Sequence, residues 1–63
     1  MMNARRENFF IACANNNEDP RKYDTNITKE EQDFYDSLMA EKDYYKQTKG
    51  WDIEFQPTEL ETE

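Results

Sequence analysis

Apolar and polar positions in this chain alternate with two different periods, and each period predicts a different element. From Thr28 to Lys49 the apolar residues recur at helical spacing. Projected at about 100° per residue, Phe34, Leu38 and Tyr45 fall within roughly 40° of one another, with Tyr35, Met39 and Lys42 on one shoulder. Asp36, Asp43, Gln32, Ala40 and Gln47 project to the opposite side. After Gly50 the period changes to two: Trp51, Ile53 and Phe55 take one side of an extended segment, and Asp52 and Glu54 the other.

The boundaries of the helix are written in the sequence. Thr28-Lys29-Glu30-Glu31 is a capping box, in which a threonine and a glutamate satisfy each other's exposed amides, and acidic residues suit the positive end of a helix. Lys46 and Lys49 followed by Gly50 form the matching stop. Residues 3–14, NARRENFFIACA, predict a shorter N-terminal helix; the rival reading is a strand over Phe9–Cys13. Residues 15–27, from the three asparagines through Pro20, predict a loop and an extended connector, and residues 56–63 an acidic tail. The expected fold is mainly α: a short N-terminal helix, a long amphipathic helix over about 28–49, an extended C-terminal strap and the tail. Residues 1–63 form a single small domain or a partner-dependent subunit.

An extended WDIEF needs backbone partners. Within the chain only the Phe9–Cys13 run could pair with it as a strand, and two strands alone make a marginal sheet. The favoured reading is a strap across the long helix, with Trp51, Ile53 and Phe55 packed between that helix and another protein.

Composition strengthens that expectation. Ile, Leu and Phe together number nine in 63 residues, with no Val, while aromatic residues make up 14%. A chain poor in aliphatic mass and high in charge repays its conformational entropy poorly by itself, and aromatic side chains are the usual anchors of interfaces. Phe9, Phe10, Phe34, Leu38, Tyr45, Trp51, Ile53 and Phe55 are the expected contact residues. The competing assignment for Phe34, Leu38 and Tyr45 is an internal core against Phe9, Phe10 and Cys13.

Charge directs the choice of partner. The net charge is −7, and residues 30–63 hold eleven acidic and three basic groups, whereas residues 1–29 are nearly balanced. Asp33, Asp36, Asp43, Asp52, Glu54, Glu59, Glu61 and Glu63 are the expected electrostatic determinants. They oppose direct binding to nucleic acid or anionic lipid and favour a larger protein with a basic surface. No stretch approaches the ~20 apolar residues of a membrane span, and the lone Cys13 suits a reducing, intracellular setting.

Catalytic chemistry finds little material. With no His and a single Ser, Cys and Gly, nucleophile-base pairs, zinc sites and glycine-rich phosphate loops cannot be assembled, so no enzyme activity, metal or cofactor is expected. Asp24, Asn26 and Thr28 imitate the start of a calcium loop, but Lys29 occupies the glycine position. Two functional expectations follow: a non-enzymatic accessory subunit or adaptor on an intracellular or viral assembly, or an inhibitor whose carboxylates imitate nucleic-acid phosphates in a basic cleft.

Overall fold

The computed structural model describes residues 2–58. Two α-helices, α1 (Ala4–Asn15) and α2 (Lys29–Lys49), are joined by a connector that contains a 3-10 turn at Pro20–Lys22. No strand occurs among the described residues, and Phe9–Cys13 is helical. The expected mainly α fold is therefore the observed one.

α1 opens on Asn3, whose side-chain oxygen accepts from the Arg6 amide at 2.9 Å, a cap that relieves one of the unpaired first-turn donors. It takes in Asn15, one residue past its expected end. The connector then begins at Asn16, whose side chain returns to the Ala12 carbonyl, and Asn17 turns left-handed at φ 56. The connector is also less extended than the sequence suggests. Asp19 caps the 3-10 turn by accepting from the Arg21 amide, and Pro20 is fully buried at its start.

α2 carries the capping box as read: the Glu31 amide donates to Thr28 Oγ1 at 3.2 Å, and the Thr28 amide to Glu31 Oε1 at 3.0 Å. It ends on Gly50 in the left-handed region at φ 71, where glycine escapes the Cβ clash.

The helices run in the same sense. Arg6 meets Glu31, the Phe10 ring lies edge-on to Phe34 at 6.5 Å, and Lys42 reaches the Ala14 carbonyl at 2.9 Å. Parallel helices set their dipoles side by side, and the cationic Lys42 at the carbonyl end of α1 offsets part of that cost. The buried hydrophobic residues Phe10, Ile11, Cys13 and Ala14 all belong to α1. Across from them, Phe34, Tyr35, Leu38, Met39 and Tyr45 are only half-buried. Arg6 closes the lower end of the interface. Its guanidinium holds both Glu31 oxygens at 2.8 and 3.1 Å and Asp24 at 3.0 Å, and stacks within 5.3 Å of the Phe9 and Phe10 rings.

Gly50 then sends residues 51–58 back along α1. Asn15 donates to the Phe55 carbonyl at 3.0 Å and accepts from its amide at 2.8 Å. Asn8 does the same with Thr58, donating at 3.0 Å and accepting at 2.5 Å, and Thr58 Oγ1 donates to Glu7 at 2.9 Å. The mate of the extended segment is thus a pair of asparagine side chains on α1, each acting as a detached peptide group. This corrects the expected strap across the long helix: its backbone is fastened to α1 at Phe55 and Thr58, while Trp51 and Asp52 are tied to α2.

Candidate interaction surface

An α-helix rises about 1.5 Å per residue, so α2 is roughly 30 Å long and α1 roughly 18 Å. The two start nearly level at Arg6 and Glu31. The last turns of α2, beyond Lys42, consequently overhang α1, and the aromatic residues they carry have little to cover them.

On this overhang the left-handed Gly50 turns the chain so that the Trp51 amide donates to the Tyr45 carbonyl at 3.3 Å. The indole then lies flat on the Tyr45 ring, 5.9 Å between centroids and 12° apart. Tyr44 packs edge-on to Tyr45 at 5.3 Å, and the Lys49 ammonium stands 5.5 Å from the indole. Lys46 bonds Asp52 at 2.9 Å, and that hydrogen bond holds the Asp52 carboxyl below the usual range. Tyr44 and Trp51 remain 58% and 54% exposed. Between this cluster and the end of α1 opens a cleft of about 340 Å³, lined by Asn17, Met39, Lys42 and Trp51 among others.

A second, smaller cleft of about 240 Å³ lies on α1 between Phe9, Cys13 and the 61% exposed Tyr23, whose ring meets Phe9 edge-on at 6.3 Å. The Tyr23 hydroxyl donates to Glu18. Burial, with Glu18 and Asp19 nearby, pushes the Cys13 thiol up, away from the reactive thiolate.

The outer side of α2 is acidic. Asp33, Asp36 and Asp43 are exposed there, each with a neighbour on its own helix: Lys29 at 3.4 Å from Asp33, Gln32 at 2.8 Å from Asp36 and Gln47 at 2.8 Å from Asp43. Glu54 is also exposed, on the strap. Among the described residues, no group of three or more acidic or cysteine side chains is arranged to hold a metal ion, and no helix is long and apolar enough to cross a membrane.

The structure divides the expected contact residues into three groups. Phe10 has no exposed surface and lies edge-on to Phe34, as the assignment of Phe34 to an internal core against Phe10 expects, so it is a core residue and not a partner contact. Phe9, Phe34, Leu38, Ile53 and Phe55 are half-buried. Tyr45 and Trp51 form the aromatic end. Glu59, Glu61 and Glu63, with most of the tail expected over 56–63, lie outside the described residues.

Four residues with defined work escape the sequence reading. Tyr44 completes the aromatic end, Arg6 ties α1 to α2, and Asn8 and Asn15 hold the strap. The available signal for the asparagines was their spacing. Asparagine is a poor helix former, and two of them seven residues apart in a helix share one face. Comparison with protein-family models, with curated proteins and with solved structures gives no match for this chain.

Proposed function

We propose that this chain is a small acidic, non-enzymatic protein-binding subunit or adaptor that packs on a larger intracellular or viral assembly through the aromatic end of α2. The observation that carries this reading is the Tyr44–Tyr45–Trp51 cluster. Two of its three rings are more than half exposed, yet Trp51 is held by stacking, by its backbone amide and by the adjacent Lys46–Asp52 pair. Rings already fixed in the free protein lose little entropy on binding, which is what makes an interface anchor efficient. The acidic outer side favours a partner with a basic face.

The exposed row Asp33, Asp36 and Asp43 favours a second reading, an inhibitor that imitates nucleic acid in a basic cleft. Two of these carboxylates accept from glutamine and one is paired with Lys29, so part of their hydrogen-bonding capacity is spent within the helix.

Capture of the partner from the native source over a salt series separates the two. For an aromatic-anchored subunit, Trp51→Ala lowers affinity by about 2 kcal/mol, the usual cost of removing an interface hot spot, and retention falls only gently with salt. For a mimic, Asp36→Asn with Asp43→Asn is the damaging change and retention collapses with salt. Full retention by Trp51→Ala would refute the subunit reading.

A further inference from the structure

The Asn8–Asn15 pair binds an extended chain by its backbone alone. Each carboxamide takes both the N–H and the C=O of one strap residue, Asn15 those of Phe55 and Asn8 those of Thr58. The dimensions match. Seven residues of helix rise about 10.5 Å and return to nearly the same face. Three residues of polyproline-II chain advance about 9 Å and complete one turn, so residues i and i+3 present their backbone groups to the same side. A strand of period two would turn residues three apart to opposite sides. Pro57 falls between the two recognised residues, where its missing N–H and restricted φ suit this conformation. The contact is also side-chain tolerant. Ile53, Phe55 and Thr58 are half-buried, and none of the described strap side chains is fully buried. The anchorage of Trp51 and Asp52 to α2 lies ahead of this stretch, so residues 53–58 can lift from α1 while the chain stays held at Trp51 and Asp52.

We propose that this face of α1 is a receptor for an extended peptide segment, that residues 55–58 occupy it in the free protein, and that an extended segment of a partner protein takes their place. The ligand it fits has free backbone N–H and C=O groups at two residues three apart. Proline is excluded at both of those positions and tolerated between them, and a Ser or Thr at the second can donate to Glu7 as Thr58 does. This site is distinct from the aromatic end and is tested without it.

The probe is a synthetic peptide of residues 53–58, which lacks Trp51 and Asp52, added to the full-length chain and followed by the side-chain amide resonances of Asn8 and Asn15. In the wild type the tethered strap competes at an effective concentration in the millimolar range, so binding in trans is weak. Thr58→Pro removes the N–H that Asn8 accepts and weakens the strap, and the peptide then binds about tenfold more tightly, a shift expected from relieving that competition. Adding Asn8→Ala and Asn15→Ala abolishes binding, read in that variant from the backbone amide resonances of α1. Should those changes unfold the chain, the same peptide N-methylated at its Phe and Thr amides provides the control from the ligand side, and it must fail to bind the Thr58→Pro protein. The proposal is overturned if the peptide leaves both asparagine resonances of the Thr58→Pro protein unmoved at millimolar concentration, or if the N-methylated peptide binds that protein equally well. A wild-type dimer that grows with concentration and is lost with the two asparagines would also overturn it, assigning the place to the strap of a second copy.

Discussion

The two helices of this protein were specified in different ways. α2 has nearly every local device a helix can carry: a capping box, acidic residues in its first turn, basic residues in its last and a left-handed glycine after it. Its only buried residue is nonetheless Glu31. α1 has an asparagine cap at each end, Glu7 in its first turn, no basic residue in its last turn and two further asparagines in its body, yet it supplies all four buried hydrophobic residues found among the described residues. α2 is a locally encoded platform, and α1 is helical because docking on that platform buries it. The lesson is that local helix signals and core membership are independent properties, and in a short chain they can fall on different elements.

That difference can be broken most severely at Phe10. Phe10→Ala removes the largest completely enclosed side chain among the described residues, at a cost of about 3–5 kcal/mol. In so small a domain this is enough to abolish the cooperative thermal transition. Circular dichroism should then retain a residual helical signal from α2 while that of α1 disappears; equal loss from both helices would contradict the division drawn above.

Glu31→Gln is expected to have the next largest effect, because this residue belongs to both systems at once: it closes the capping box of α2 and holds Arg6 of α1. The Arg6 hydrogen bond, helped by the Thr28 amide, draws its carboxyl from the ordinary 4.5 down to about 2. A depressed folded-state pKa gives stability that is complete above about 4.5 and is lost as pH falls from there toward 2. Urea midpoints measured across that window should decline in the wild type, and less steeply in Glu31→Gln, which is already weaker at neutral pH. Parallel slopes in the two proteins would show that other carboxylates govern acid unfolding.

The smallest effect sharpens the comparison from the side of α2. An added Cβ at Gly50 meets no atom, so Gly50→Ala bears only the strain of a positive φ, about 1 kcal/mol. The urea midpoint should fall by that amount with the α1 core intact, and the Trp51 fluorescence should change as the stacking on Tyr45 is disturbed. An unchanged midpoint would mean that the left-handed stop contributes nothing beyond local geometry.

Much of the fold and part of the candidate surface could be read in advance. The extent of α2 followed from Thr28, Glu31 and Gly50, whose roles depend on neighbours within one turn. The exposed acids Asp36 and Asp43 followed from their angular position. The alternation after Gly50 also appears, since Asp52 and Glu54 are exposed while Ile53 and Phe55 are half-buried. Trp51 could be recognised as a candidate anchor, but Tyr44 could not, because its place beside Tyr45 and Trp51 depends on how far α2 extends beyond α1. The Arg6–Glu31 pair joins residues 25 apart, and the Asn8–Thr58 pair residues 50 apart; the spacing of Asn8 and Asn15 marks a shared face, but the local pattern does not say which distant residue meets it.

The sequence alone determined where α2 starts and stops, which of its sides is acidic, and that the chain turns extended after Gly50. Those outcomes rest on backbone sterics, capping hydrogen bonds and helical periodicity, which act within a few residues. Only the tertiary structure decided that α1 lies parallel to α2, that Phe10 is core, and that the extended segment is fastened to two asparagines on α1. Each of those depends on surfaces meeting across long stretches of chain, where the favourable arrangement is set by which faces are buried together and which amides are left to satisfy one another.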